Sequence, residues 1–526
     1  NLAAQGKEVL VVERGKYVQP KDFNEDEGDM IGKLYADGIF QQTTDFRFTV
    51  LQGSCVGGTT VINNAVSFDP PEHVLDHWNK KYDAGIDKQV LKDSTEEIRK
   101  FLHICPQVSQ HAKGKLLQKE YLQGKKNRQG EDILNPSWRQ FVYGVQNLGL
   151  EKFDEGNGIR KILQEEAGRL RLGDSLLLER VHGMAADVVE ANIVDCLGCG
   201  YCNIGCKYGK KMSMLDKMLP EAQKLERGKV RILAECEVER IRTLSGKPER
   251  VADIKARLSD GRKLTIRADK YILSAGAIAS SFLLLRSRIG RNLPVGRHVS
   301  FNMGAPMTAE FADTLDAYDG LQISHYGIPR VLHKPHLERG FVLETWWNPP
   351  VAQAISMPGW FEEHFRNMQN FNKMMGLGVL VGTDNTARVK QALTGGADID
   401  FVPTRVDLLK LADGLIQAGE VLFAAGARRL MLNTWGNDSF NHPNQLPRIN
   451  EIVKDPRYLT LGTGHPQGGN GISKDPFKGV VGEDFKVHGY SNLFVCDASV
   501  FPSSLTVNPQ LTIMALAHYA AKIIAQ

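Results

Sequence analysis

His465 and Asn508 are the residues of this chain whose types and settings best suit chemistry. His465 opens the stretch His465-Pro466-Gln467-Gly468-Gly469. Asn508-Pro509 follows Asp497-Ala498-Ser499-Val500-Phe501-Pro502. A neutral imidazole near its ordinary pKa can take a proton from a hydroxyl, and a carboxamide can hold the oxygen that the proton leaves. The pair would suit chemistry on an alcohol, with His465 as base and Asn508 as hydrogen-bonding partner. An ordinary helix cap is the other reading of Asn508, because Asn followed by Pro commonly starts a helix.

A second concentration of reactive side chains lies at mid-chain. Cys196, Cys199, Cys202 and Cys206 have the spacing C-x2-C-x2-C-x3-C. Clustered thiolates bind soft metals, and this spacing matches a bacterial ferredoxin run except that Lys207 stands where a proline is usual. An iron–sulfur cluster is expected here, held by four local cysteines, by three, or completed by a distant thiol such as Cys236. Zinc and disulfides stay open beside it.

The elements that must position these groups read as α/β. Glu8 to Glu13 forms a short apolar strand, Val-Leu-Val-Val, that ends in an acid. In a dinucleotide-binding βαβ unit an acid at that place hydrogen-bonds the adenosine ribose, which nominates Glu13. The glycine-rich fingerprint that should precede it is expected upstream of Asn1, together with any targeting segment. Gly53-Ser54-Cys55-Val56-Gly57-Gly58-Thr59-Thr60 is a loop whose backbone can approach a pyrophosphate or a flavin ring closely. Strands are expected over 229–243 and 262–274, and a closing apolar helix over 511–525. Trp346, Trp347, Met357, Trp360, Met374 and Met375 fall between 300 and 455, where a substrate domain with an apolar lining is expected.

At 526 residues the chain should hold more than one core. A 42% hydrophobic and 24% charged composition is that of a globular protein, and a net charge of +4 gives no support to a nucleic-acid partner. No apolar run reaches the length of a membrane span. A cytoplasmic address is the expectation.

With the pieces in order, the chain resembles the glucose-methanol-choline family of flavin oxidoreductases. The resemblance begins at Ala3-Ala4-Gln5-Gly6-Lys7 and Val9-Leu10-Val11-Val12-Glu13-Arg14-Gly15. It continues through Gly57-Gly58-Thr59-Thr60-Val61-Ile62-Asn63, then Ser274-Ala275-Gly276-Ala277-Ile278, then Leu293-Pro294-Val295-Gly296-Arg297-His298. It closes on His465-Pro466-Gln467-Gly468, Asp497-Ala498-Ser499 and Asn508-Pro509-Gln510-Leu511-Thr512. Gly468-Gly469 and Asn470-Gly471 depart from the familiar Gly-Thr and Met-Gly. The cysteine run and Met357-Pro358-Gly359-Trp360 resemble the long-chain alcohol oxidase and dehydrogenase branch.

The resemblance implies a Rossmann-type FAD-binding domain assembled from discontinuous segments (1–84, 181–299 and 456–526). It also implies a helical insertion (85–180) and an α+β substrate domain with an antiparallel sheet (300–455). It implies FAD contacts from Glu13, Gly57, Gly58, Thr59, Asn63, Val238, Asp497 and Ala498, and catalytic roles for His465 and Asn508. Oxidation of a hydrophobic or long-chain alcohol follows. Electrons would leave through the cysteine cluster to an external acceptor or electron-transfer protein, as in a branch that resembles FAD-dependent sugar dehydrogenases. A peroxide-forming oxidase and a non-catalytic electron-transfer protein are the alternatives.

Overall fold

A computed structural model of the chain describes residues 1–107, 137–148, 184–225, 229–329, 340–436 and 438–526. The expected insertion over 85–180 lies mostly outside these residues. Its described helices are Lys88–Phe101 and Ser137–Asn147. Asp87 caps the first by accepting the Gln89 and Val90 amides. Ile98 and Leu102 from its apolar face pack on Leu511 and Met514 of the C-terminal helix, Gln510–Ile524.

Parallel pairing forms one side of the molecule. Val9–Val12 pairs with Val230–Leu233, and Tyr271–Leu273 with Leu493–Val495. The strand expected over 229–243 is two strands, Val230–Leu233 and Cys236–Leu244, because Glu235 between them adopts positive φ and breaks the extended backbone. Cys236–Leu244 belongs to an antiparallel three-stranded sheet with Lys247–Leu258 and Lys263–Ile266.

The other side is a ten-stranded, mostly antiparallel sheet. Its spine is the 14-residue strand Arg297–Glu310. The first part of that strand pairs with Pro466–Gly469, and the second with Met374–Gly382 and Arg429–Leu432. Phe341–Trp346 extends the sheet beyond Met374–Gly382.

Side chains alternate between the faces of a strand, and these strands use the alternation sharply. Leu377, Val379 and Val381, beside Leu343 and Phe341, enter the core under the helix Arg405–Ala424. The residues between them on the long strand are Gly376, Gly378, Leu380 and Gly382, so the opposite face is nearly bare of side chains. That bare face is the floor of a cavity. Trp347, Met374 and Met375 are wholly buried in the core, and Trp360 stacks on Trp435 near the surface. Of the aromatics expected to line a site, Trp346 does so; strand alternation sends Trp347 the other way. Among the described residues, no helix is long and apolar enough to cross a membrane.

Candidate active site

Between the parallel strands and the bare face of the large sheet lies a cavity of about 1800 Å³. It exceeds the ~300–1,000 Å³ of an ordinary ligand pocket, leaving room for a cofactor and a substrate together. Glu13 and Val238 line it from the parallel strands and the three-stranded sheet. Gly57, Gly58, Thr59, Asn63, Asp497 and Ala498 line its middle elements, and His465 and Asn508 face it beside the large sheet. Every nominated residue outside the cysteine run thus shares one cavity.

The loop at Gly57 is packed so that only glycine fits. A Cβ there would lie 2.7 Å from the Val61 side chain and 2.8 Å from Leu215, at a backbone φ of +94°. A Cβ on neighbouring Gly58 would meet nothing within 4 Å. The loop therefore presents bare backbone to the cavity, as close approach by a ligand requires. Glu13 accepts the Gly15 amide at 2.7 Å, and burial pushes its carboxyl pKa up.

Asp497 fastens a second loop. Its Oδ2 accepts from the Gly276 amide at 2.9 Å and the Ser280 hydroxyl at 2.5 Å, while Oδ1 accepts from the Ser499 amide at 2.8 Å. These bonds hold the Ser274-Ala275-Gly276 turn against the C-terminal segment. Burial pushes the Asp497 pKa up, and the same bonds pull it back. An acid at a strand tip, a loop with open glycine positions and a turn fixed from beneath together fit a dinucleotide.

His465 sits where two strands meet. Its amide donates to Thr463 Oγ1 at 2.9 Å, and Thr463 Oγ1 donates to Asn302 O at 2.8 Å. Asn302 Nδ2 lies 3.3 Å from His465 Nδ1 and donates to Val507 O at 2.7 Å. Asn302 Oδ1 accepts from Ser504 Oγ at 2.6 Å and from Gln467 Nε2 at 3.3 Å. Turning the amide over would set oxygen against the Val507 carbonyl and nitrogen against the Gln467 amide nitrogen. Nδ1 of His465 is therefore an acceptor, and the neutral ring carries its proton on Nε2.

Burial drives the His465 pKa down to about 4, so the ring is neutral at ordinary pH but titrates well below the ordinary imidazole value that was expected. In this hydrogen-bond pattern the ring of His465 turns its Nε2 side to the cavity.

Asn508 is not the helix cap. Pro509 occupies that position, and Asn508 is buried with its Oδ1 unpartnered. Its side chain hydrogen-bonds Glu344, a wholly buried acid on Phe341–Trp346 whose Oε1 is likewise unpartnered. Asn63 Nδ2 donates to Gln510 Oε1 at 2.7 Å, tying the first loop to the start of the same helix.

The cysteines lie together but off the cavity. Burial, with the neighbouring cysteines adding to it, pushes the Cys199 and Cys202 thiols up to about 12. Among the described residues, no three His, Cys, Asp or Glu side chains take up the geometry of a metal site. The arrangement of Cys196, Cys199, Cys202 and Cys206 gives the expected iron–sulfur cluster no support. Beneath them Lys211 is fully buried, donating to Val61 O, Asn63 O and Cys202 O at 2.6, 2.8 and 2.7 Å. This lysine bolts the cysteine loop to the Gly57–Asn63 loop.

Asn302, Glu344 and Lys211 were not nominated from sequence. The one signal for Glu344 was an acid inside the apolar run Phe-Val-Leu-Glu-Thr-Trp, opposite Gly378 in register.

Comparison with known proteins follows the same lines. Residues 31–130 and 179–303 match the N-terminal family model of GMC oxidoreductases, and residues 388–517 match the C-terminal one. An uncharacterized GMC-type oxidoreductase of Mycobacterium tuberculosis is 25% identical, over 98% of this chain and 72% of its own length. A long-chain-alcohol oxidase of Arabidopsis thaliana is 24% identical, over 100% of this chain and 64% of its own length. Among solved structures the fold is similar to formate oxidase of Aspergillus oryzae, with a TM-score of 0.68 at 15% identity over 99% of this chain and 95% of that one. It is also similar to pyridoxine 4-oxidase, with a TM-score of 0.64 at 15% identity over 99% and 96% of the two chains.

Proposed function

The chain belongs to the GMC oxidoreductase family, and from that premise we propose that it binds FAD and oxidises an alcohol to a carbonyl compound in the cavity described above. The observation that carries the reading is the convergence on one cavity of a neutral imidazole N–H, a buried carboxamide with an unpartnered oxygen, and the loops held by Gly57 and Asp497.

Glu13, Gly57, Gly58, Thr59, Asn63, Val238, Asp497 and Ala498 would hold FAD. When bound, FAD would supply the two-electron acceptor for the hydrogen on the carbinol carbon. His465 Nε2–H would hold the substrate oxygen. Asn508 would orient the reacting group from the opposite side, and the closed sheet floor would keep water out. The three-part division of the chain, with FAD contacts from 1–84, 181–299 and 456–526, belongs to the same proposal.

A hydrophobic alcohol suits the walls, where Ile39, Phe40, Ile323, Trp346, Ile355 and Leu380 meet the cavity. Phe40 and Ile355 are well exposed, giving an apolar approach. The relatives named long-chain-alcohol oxidases support both this substrate class and molecular oxygen as the acceptor. No step is assigned to the cysteines, whose arrangement among the described residues gives a cluster no support. Oxygen uptake by the flavin-loaded protein, followed across primary alcohols of rising chain length, tests the reading. Uptake that rises with chain length and yields peroxide and aldehyde is expected. Flavin-loaded protein that consumes no oxygen and forms no aldehyde with any of them would overturn it.

A further inference from the structure

We propose that a second cleft, between the end of the helix Gly276–Ser287 and the hairpin of Arg388–Gln391 and Ala397–Asp400, binds a small molecule that carries a diphosphate group. The cleft shares no lining residue with the large cavity, so the inference stands apart from the alcohol reading. Its volume is about 630 Å³, within the ~300–1,000 Å³ of an ordinary ligand pocket. Lys and Arg make up 65 of the 526 residues of the chain. Here they make up five of thirteen lining residues, Arg288, Arg291, Arg297, Arg388 and Lys390, and no Asp or Glu is among the thirteen.

Backbone packing holds these cations in place. Val389 N donates to Gly296 O at 2.8 Å, and Val299 and Ala387 exchange backbone bonds of 3.0 and 3.1 Å. The approach at Gly296 is close enough to demand glycine, because a Cβ there would lie 2.4 Å from Val389 O at a φ of +71°. The hairpin that carries Arg388 is thereby fixed against the turn that carries Arg291 and Arg297. Burial, and then the charges of Arg297 and Arg388 together, push the His298 pKa down, so both guanidiniums act on one ring. Ile289, Val295 and Val389 give the cleft a buried apolar side, and the arginines are exposed at its rim.

The arginines are left open. Among the described residues, no carboxylate lies within ion-pair distance of Arg288, Arg291, Arg297 or Arg388. Asp400 stands across the hairpin from Arg388 but bonds Lys390. Like charges gathered in this way repel one another, and an anion between them relieves the repulsion. Guanidinium forks match phosphate oxygens in pairs. One phosphate group carries about two negative charges, so four guanidiniums suit two phosphates.

Arg288 adds an independent mark. It closes the helix at a φ of +61°, in the left-handed conformation that glycine adopts without strain. The carbonyl end of a helix favours a cation, but Arg286 already supplies one inside the last turn. Strain kept for a side chain at the rim of a cleft points to a ligand for that side chain.

The test uses the flavin-loaded protein, in which the dinucleotide loops of the large cavity are filled. Calorimetric titration with inorganic pyrophosphate at fixed ionic strength should show one site per chain. Arg291→Glu combined with Arg388→Glu should weaken it ~10–100-fold, the scale of lost charge-assisted hydrogen bonds. Arg240→Glu, at an exposed position outside the cleft, should leave the affinity unchanged. Arg288→Gly should also weaken pyrophosphate, yet the empty variant should denature no earlier than wild type, because strain and repulsion go with the side chain. A lower midpoint with undiminished pyrophosphate binding would make Arg288 a structural cap and overturn its place in the site. No binding of pyrophosphate at millimolar concentration would overturn the proposal. So would an equal loss of affinity in the cleft variant and in Arg240→Glu, which would mark general surface charge. Attachment to phosphatidylglycerol vesicles without pyrophosphate binding would overturn the small-molecule site in favour of a lipid surface.

Discussion

Asn302 donates to His465 Nδ1 across 3.3 Å and cannot turn over, because the same carboxamide serves Val507, Ser504 and Gln467. One buried amide on the spine of the large sheet thus chooses which imidazole nitrogen carries the proton. The choice is electrostatically cheap to keep, since burial already holds the ring neutral. It sets the resting tautomer of the candidate catalytic histidine.

The tautomer is observable. In histidine-labelled protein, nitrogen NMR should show His465 as the neutral form with its proton on Nε2. Asn302→Asp should reverse this, because a carboxylate oxygen at the same place must accept from Nδ1–H. That variant should also raise the imidazole pKa through the nearby negative charge. A wild-type ring protonated at Nδ1 would contradict the assignment.

Removing the donor should cost rate and spare the cofactor. His465→Ala is expected to lower kcat by ~10²–10³-fold, the scale of one lost hydrogen bond to a developing oxyanion. Flavin content per chain should stay at the wild-type level, since His465 is held by Asn302 and Thr463 while the loops at Gly57 and Asp497 have their own fastenings. Unchanged turnover would remove His465 from the reaction.

Much of this site was legible in the sequence, for a physical reason. Gly57, Asp497, His465 and Asn508 sit in loops whose residue types are dictated by backbone shape and ligand contact, so local motifs announce them. Gly468 and Gly469, which depart from the resembled pattern, are readable in the same way. Their φ values are +78° and +104°, and a Cβ would lie 2.4 Å from His298 O or 2.3 Å from Ser281 Oγ. Asn302 and Glu344 sit inside strands, where function depends on which face a residue takes and on what stands two strands away. Trp347 and Met375 failed as lining residues on the same account, because alternation sent them to the core, while Met374, on the other face, is buried all the same. Lys211 could not be read at all. Three carbonyls from distant segments meet its ammonium only after folding.

Asp497→Asn should loosen the flavin site. One carboxylate oxygen becomes an NH2 facing donors: the Gly276 amide and Ser280, or else the Ser499 amide. A cost of about 2 kcal/mol is expected from the unmatched donors. Denaturant unfolding should show it, with faster flavin loss on dilution. Wild-type stability and flavin retention would count against the fastening role.

Lys211→Met should destabilise more. It removes the donor shared by Val61 O, Asn63 O and Cys202 O and leaves three buried carbonyls unmet. About 3 kcal/mol is expected. Burial lowers the lysine's own pKa. A midpoint of denaturation equal to wild type would show that the two loops hold together without it.

The central claim is tested most directly by the absorbance spectrum of the flavin-loaded protein, taken without oxygen before and after a long-chain primary alcohol is added. Bleaching of the flavin bands, with one aldehyde formed per flavin, is the expected result, and His465→Ala should slow it while starting from the same spectrum. A flavin that stays fully oxidised across short, medium and long primary alcohols would contradict alcohol oxidation in this cavity.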